Sequence, residues 1–147
     1  MIKLLKNLFK KKNKCVMSFK EGLDLTDLPV VTFYQDDKKL NFMLDTGANM
    51  SMIDYRILQS LIHRPTGEYA KVFGVDGVEH RVPYVALKFS YKDKVFTDIT
   101  QAMDLSSAFD RIKKENGVTV HGLIGNAFMQ KYKYVLDFKE MIAYSKQ

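Results

Sequence analysis

The residue best placed to do chemistry in this chain is Asp45, which ends the apolar run Phe42-Met43-Leu44 and is followed at once by Thr46-Gly47-Ala48-Asn49. A carboxylate on a turn at the end of a strand can meet a substrate while its backbone stays fixed, which suits general acid or general base work. Asp-Thr-Gly alone is also an ordinary turn, because aspartate bonds its own backbone and glycine accepts unusual φ. A second segment adds weight. His121-Gly122-Leu123-Ile124-Gly125-Asn126-Ala127-Phe128 again runs from apolar residues through a glycine into a helical pattern.

Other chemistries find less support. His63, His80 and His121 are scattered, and no cysteine or carboxylate stands near them at ligand spacing, so no metal is expected. The chain lacks a Gly-x-Ser-x-Gly elbow for a nucleophilic serine and a glycine-rich loop for phosphate, so no cofactor is expected either. Cys15 is the single cysteine and cannot close an internal disulfide, which points to the cytoplasm.

The elements that must position Asp45 are mostly short strands. Leu28 to Tyr34 and Leu40 to Leu44 read as a hairpin across a charged connection, and Ser51 to Asp54 leaves the Asp45 turn as a further strand. Tyr55 to Ile62 reads as a short helix ended before Pro65. Tyr69 to Val82 holds Asp76-Gly77 between two extended arms, a pair suited to a tight hairpin turn. Val85 to Tyr91 and Val95 to Ile99 form another pair of strands. Asp104 is placed to cap a helix over Leu105 to Glu115 that stops at Asn116-Gly117. Val118 to Val120 returns to strand, Asn126 to Lys131 is helical, and Tyr134 to Phe138 and Met141 to Tyr144 close the chain as strands. Many short strands with few helices predict a mostly-β, closed or nearly closed sheet.

Three segments, Asp45-Thr46-Gly47-Ala48, Leu123-Ile124-Gly125 and the closing Lys131 to Phe138, together resemble the retropepsin-like aspartic proteases, over about Leu28 to Ser145. The resemblance implies a small closed β-barrel of the acid-protease type, with a flap hairpin and two or three short helices. It implies an aspartic endopeptidase with Asp45, Thr46 and Gly47 as its catalytic turn. Hydrolysis by carboxylates needs a base and an acid at once, and with no second Asp-Thr-Gly in the chain the simplest partner is Asp45 of an identical chain across a two-fold axis. Thr46 would then hydrogen-bond across that axis. Substrate contacts would come from Ala48 and Asn49, from Phe73, Gly74, Val75, Asp76 and Gly77 in a flap spanning Val72 to Val82, and from Leu123 and Ile124. Leu44 and Ile53 are further pocket candidates. Many members carry an acid at the position of Asn49 that pairs with a base after the later glycine; here that later residue is Asn126, so an amide pair is expected. A non-catalytic peptide- or partner-binding module on the same fold is the alternative.

The chain has 147 residues and a formal net charge of +6, and 46% of its residues are apolar, which suits one domain with an ordinary core. Lys3, Lys6, Lys10, Lys11, Lys12 and Lys14 precede Cys15 with no acid among them, so the body beyond is electrically balanced. The expected division is therefore an arm over residues 1–16 and a protease domain over 17–147. Ile2, Leu4, Leu5, Leu8 and Phe9 share one side of a helical wheel, which leaves open an unstructured tail, a weak membrane-surface helix or a partner-binding arm. Because the body carries no basic excess, nucleic acid is not the expected partner. A peptide substrate and a second copy of the chain are.

Overall fold

The computed structural model describes residues 2–3, 15–73 and 76–147, so most of the basic arm, with Gly74 and Val75 of the expected flap, lies outside the described residues. Among the described residues the protein is mostly β, with a closed six-stranded barrel and the four short helices named below. Chain order is β1 (Met17–Ser18), α1 (Lys20–Thr26), β2 (Val30–Gln35), β3 (Lys38–Leu44), β4 (Ser51–Asp54), α2 (Tyr55–Leu58), β5 (His63–Phe73), β6 (Glu79–Tyr91), β7 (Lys94–Met103), α3 (Ser106–Asn116), β8 (Gly122–Ile124), α4 (Asn126–Lys131), β9 (Tyr134–Asp137) and β10 (Ile142–Ser145).

Strands run β2-β3-β8-β4-β7-β6 around the barrel, and Tyr34 opposite Ser90 closes β2 onto β6. Pairing is parallel for β3 with β8 and for β4 with β7, and antiparallel elsewhere. Closure leaves β5 as the edge strand, where Pro65 is tolerated because an edge residue needs no second ladder partner. For that reason α2 ends at Leu58 without help from Pro65, and the expected helix to Ile62 is shorter than its pattern suggested.

Period-two alternation points Leu40, Phe42 and Leu44 of β3, Val85, Leu87 and Phe89 of β6, and Phe96 and Ala102 of β7 into the interior. At its centre the Phe33 ring lies 4.8 Å from Phe89, 5.5 Å from Phe96 and 5.9 Å from Phe42, each edge to face. This geometry sets ring edges against ring faces, where the aromatic quadrupoles attract. Phe128 of α4 extends the stack to Tyr132 at 4.8 Å, which ties the helix after the second glycine turn into the barrel core.

The smaller sheet β1-β10-β9 brings Met17–Ser18 against Ile142–Ala143. Helix α1, which the sequence pattern did not mark, sits so close to β2 that a Cβ on Gly22 would lie 2.8 Å from the Val30 Cβ. Helix α3 starts after Asp104, whose carboxylate accepts from the Ser106 N–H at 2.9 Å, and stops at Gly117 with φ +76. Its Phe109 joins Val30 and Val120 in a second apolar cluster outside the barrel. Arg56 clasps it to α2 through Asp54 at 2.7 Å and Asp110 at 2.9 Å, and the two carboxylates push the guanidinium pKa further up. Val118 to Val120, expected as strand, is irregular; the strand begins at Gly122, where β3 and β4 are both available to pair.

Three strands are longer than expected: β5 begins at His63, β7 runs from Lys94 to Met103, and β6 joins two expected strands. Val82 and Val85 belong to a single continuous strand, β6, that passes through Pro83. It continues because β7 begins pairing only at Tyr84, so Pro83 has a neighbour on the β5 side alone. Removing the ring at the centre of the core tests the packing: Phe33→Ala should lower unfolding free energy by about 3–5 kcal/mol in urea denaturation.

Candidate active site

Asp45 is half-buried at the end of β3, and Thr46, Gly47 and Asn49 of its turn are exposed. The turn closes on itself. The Gly47 N–H donates to Asp45 Oδ1 at 2.9 Å and the Ala48 N–H to the Asp45 carbonyl at 3.2 Å. A Cβ on Gly47 would stand 3.2 Å from Asp45 Oδ1, so a larger residue would crowd the carboxylate.

The second glycine segment braces this turn from behind. Strand β8 lies between β3 and β4, parallel to the first and antiparallel to the second. The Asp45 N–H donates to the Ile124 carbonyl at 2.9 Å, the Asn126 N–H to the Ala48 carbonyl at 2.8 Å, and the Ala127 N–H to the Asn49 carbonyl at 2.9 Å. Such close approach requires glycine. A Cβ on Gly125 would fall 2.6 Å from the Met50 carbonyl oxygen, and one on Gly122 would fall 2.3 Å from the Met52 carbonyl oxygen. The two segments paired in sequence are thus one unit, in which the backbone of the second satisfies the backbone groups of the first.

The expected amide pair is corrected. Asn126 Nδ2 donates to the Thr46 carbonyl at 2.7 Å, and Asn49 takes part through its backbone. A short side chain at the start of α4 reaches the carbonyl that the Asp45 turn leaves free, so Asn126 bonds the turn directly. Leu44, Ile53 and Ile124 belong to the barrel core, Ile124 with no exposed surface, and Leu123 is nearly covered. Enclosure of β8 by β3 and β4 accounts for this, and neither Leu123 nor Ile124 presents much side chain to a peptide from within one chain. Ala48 is half-buried and Asn49 open to solvent beside Asp45.

Beyond the end of β7, residues Tyr69–Phe73 and Glu79–Pro83 pair only with each other, a two-stranded ribbon in the expected flap position. Its last register pair among the described residues is Phe73 opposite Glu79, and the expected tight turn at Asp76-Gly77 involves Gly74 and Val75, which lie outside the described residues. Gly77 supplies a left-handed φ of +74 within it, and the Asp76 carboxylate accepts from the Val78 N–H at 3.0 Å. Phe73 is largely exposed, Arg81 lies 4.8 Å over the Tyr69 ring, and Lys71 meets Glu79 at 3.6 Å. Gly74 and Val75 fall outside the described residues.

The buried polar residues Ser51, Asp54, Asp98 and Thr100 escaped the sequence reading, and two of them bear on the Gly125 turn. Ser51, which is buried, accepts from the Gly125 N–H at 3.1 Å, and Asp98 is buried on β7. Period-two alternation from Phe96 could have found Asp98, had the outward Val95 and Ile99 not suggested the opposite face. Among the described residues no cluster of three or more histidine, cysteine or acidic side chains could hold a metal ion.

The chain thus combines a closed barrel, a strand-end Asp-Thr-Gly turn locked to a glycine turn, and a two-stranded ribbon. The aspartyl protease family model matches residues 31–128, more than half of the chain and inclusive of both turns and the ribbon. The chain belongs to the aspartyl protease family, retropepsin-like in type, a family of hydrolases acting on peptide bonds. No curated protein sequence gives a significant match.

Locking of the two turns has a measurable cost when broken. Gly125→Ala should destabilise by about 1–3 kcal/mol, because the added methyl meets backbone that cannot yield. Asn126→Ala should cost less, about 0.5–1.5 kcal/mol for one hydrogen bond; a urea series on both variants gives the order.

Proposed function

We propose that the protein is a homodimeric aspartic endopeptidase in which two Asp45 carboxylates, one from each copy, activate a single water for attack on a peptide carbonyl. The observation that carries this reading is the form of the Asp45 turn, fixed by six hydrogen bonds running to or within it and open to solvent at Thr46 and Gly47. One such turn exists per chain. Two like charges held a few ångströms apart do not both ionise, so a facing pair keeps one proton in common, for which aspartic proteases are the type case. The ionised member draws a proton from water while the protonated member donates to the carbonyl oxygen, and no covalent intermediate is formed.

Thr46 is exposed at the turn and is assigned to the contact between copies. An extended peptide would lie between Asp45 and the ribbon, taking backbone hydrogen bonds from the ribbon and side-chain contacts from Ala48, Asn49, Phe73, Asp76 and Gly77. Closure of the ribbon over the peptide would exclude bulk water from the reacting atoms.

Asp45→Asn should lower cleavage of a mixed peptide library by about 10²-fold or more, since it removes base and shared proton together. Titrating wild-type protein with excess Asp45→Asn should inhibit it further, because mixed dimers hold one carboxylate. A wild-type chain that sediments as a monomer while cleaving at full rate would overturn the proposal.

A further inference from the structure

A carboxylate inside an aromatic barrel is costly unless it does something there. Asp98 is such a group: it is only 9% exposed, opposite Leu87 in the β6–β7 register and on the same face of β7 as Phe96, Thr100 and Ala102. Its Oδ2 has no hydrogen-bond partner. The Ser51 hydroxyl and the Ile99 N–H face its carboxyl. Ser51 lies on β4 opposite Thr100, with 1% of its surface exposed. Since Ser51 Oγ already accepts from the Gly125 N–H at 3.1 Å, its own proton is free to point the other way, and the acceptor facing it is Asp98.

We propose that Asp98 is a positioning residue: from inside the barrel it orients the Ser51 hydroxyl, and Ser51 holds the Gly125 amide, so that the turn bracing Asp45 is fixed from the core. Its bearing on catalysis rests on the reading of Asp45 given above; the mechanical link itself does not. The chain of contacts crosses three elements, β7, β4 and the β8–α4 turn, and ends one residue from Asn126, which bonds both the Ala48 and the Thr46 carbonyls. A neutral Asp98 serves this purpose as well as an ionised one, because the Ser51 hydroxyl needs only an acceptor oxygen.

Burial pushes the Asp98 carboxyl up to about 6, against the favourable effects of Ser51, the Ile99 amide and the Lys131 ammonium. Basic side chains facing the same region are His63 and Arg64 from β5, Lys88 from β6 and Lys131 from α4, which line an open cleft of about 460 Å³ with Asp98. Lys131 is engaged with the Thr97 carbonyl at 3.3 Å and hydroxyl at 3.2 Å. The sign follows from the raised value. Folding stability from this group is complete below the ordinary carboxylate value of 3.8 and is lost as pH rises through about 6.

The test uses the full chain and two readouts that involve no cleavage. In thermal melts from pH 4.5 to 7.5, Asp98→Asn, which keeps an acceptor oxygen but cannot ionise, should match wild type at the acid end and exceed it at the neutral end. In amide hydrogen exchange at pH 5, Ser51→Ala and Asp98→Ala should speed exchange at Gly125 by about tenfold relative to the Phe33 amide of the β2–β3 hairpin, and Asp98→Asn should restore protection. Gly125 exchange left unchanged by Ser51→Ala or by Asp98→Ala, or Asp98→Asn exchanging as fast as Ser51→Ala, would overturn the proposal. Should Asp98→Ala fail to fold, Ser51→Ala and Asp98→Asn decide it. Failure of the protease reading would show as Asp45→Asn without effect on cleavage, and would leave both of these readouts intact.

Discussion

Everything near Asp45 depends on one close approach, that of β8 to the strands on either side of it. Three residues, Gly122 to Ile124, fill the space between β3 and β4 and supply hydrogen bonds to both. Two glycines make this possible, for a methyl at Gly122 or Gly125 would sit well inside contact distance of the Met52 or Met50 backbone. The consequence for the site is geometric. A loop from Asp45 to Met50 would ordinarily wander, yet here its carbonyls at Thr46, Ala48 and Asn49 are all taken by Asn126 and Ala127. The carboxylate therefore stands on a backbone as fixed as a strand while keeping an open front, which is the preorganisation that acid–base chemistry needs.

The barrel supplies that rigidity and also sets its limits. Closure by β2 on β6 near Ser90 leaves the far half of β6 with only β5 for company. The same strand is thus core at Phe89 and free ribbon at Arg81. A two-stranded ribbon without a third strand has little stability of its own, and where β7 stops decides which part of β6 is left in that state. The braced turn and the two-stranded ribbon belong to one sheet.

Legibility in the sequence followed the local signals. The β2–β3 hairpin, the Asp104 and Gly117 boundaries of α3, and the paired turns at Asp45 and Gly125 were readable because each is fixed by neighbours in the chain. What was hidden depends on residues far apart. Pro83 looked like a strand end and is not, since only the reach of β7 decides whether its missing N–H matters. Asp98 looked outward beside Val95 and Ile99, yet those apolar residues are the exposed ones. Asn126 looked like a partner for Asn49 by family pattern and instead bonds Thr46, a choice set by the path of α4. Helix α1 carries no strong cap, with no side-chain bond at its start, and forms because Leu23 packs on the core and Gly22 on Val30.

Two buried titratable groups flank the site and act in opposite directions. His121 precedes β8, and its Nδ1 accepts from the Asn41 N–H at 2.9 Å, a bond that only the neutral ring can make. Burial lowers its pKa below the ordinary 6.5, although Asp54 pulls the other way. Its contribution to folding is therefore complete above 6.5 and declines as the pH falls below that value. Asp98 contributes most in acid and least above about 6. Between these values the losses from one offset the gains from the other, so the strands that carry Asp45 keep their support across weakly acidic pH. Placing a carboxylic acid in the barrel, at the cost of an unpartnered oxygen, counters the loss at His121 from within the core.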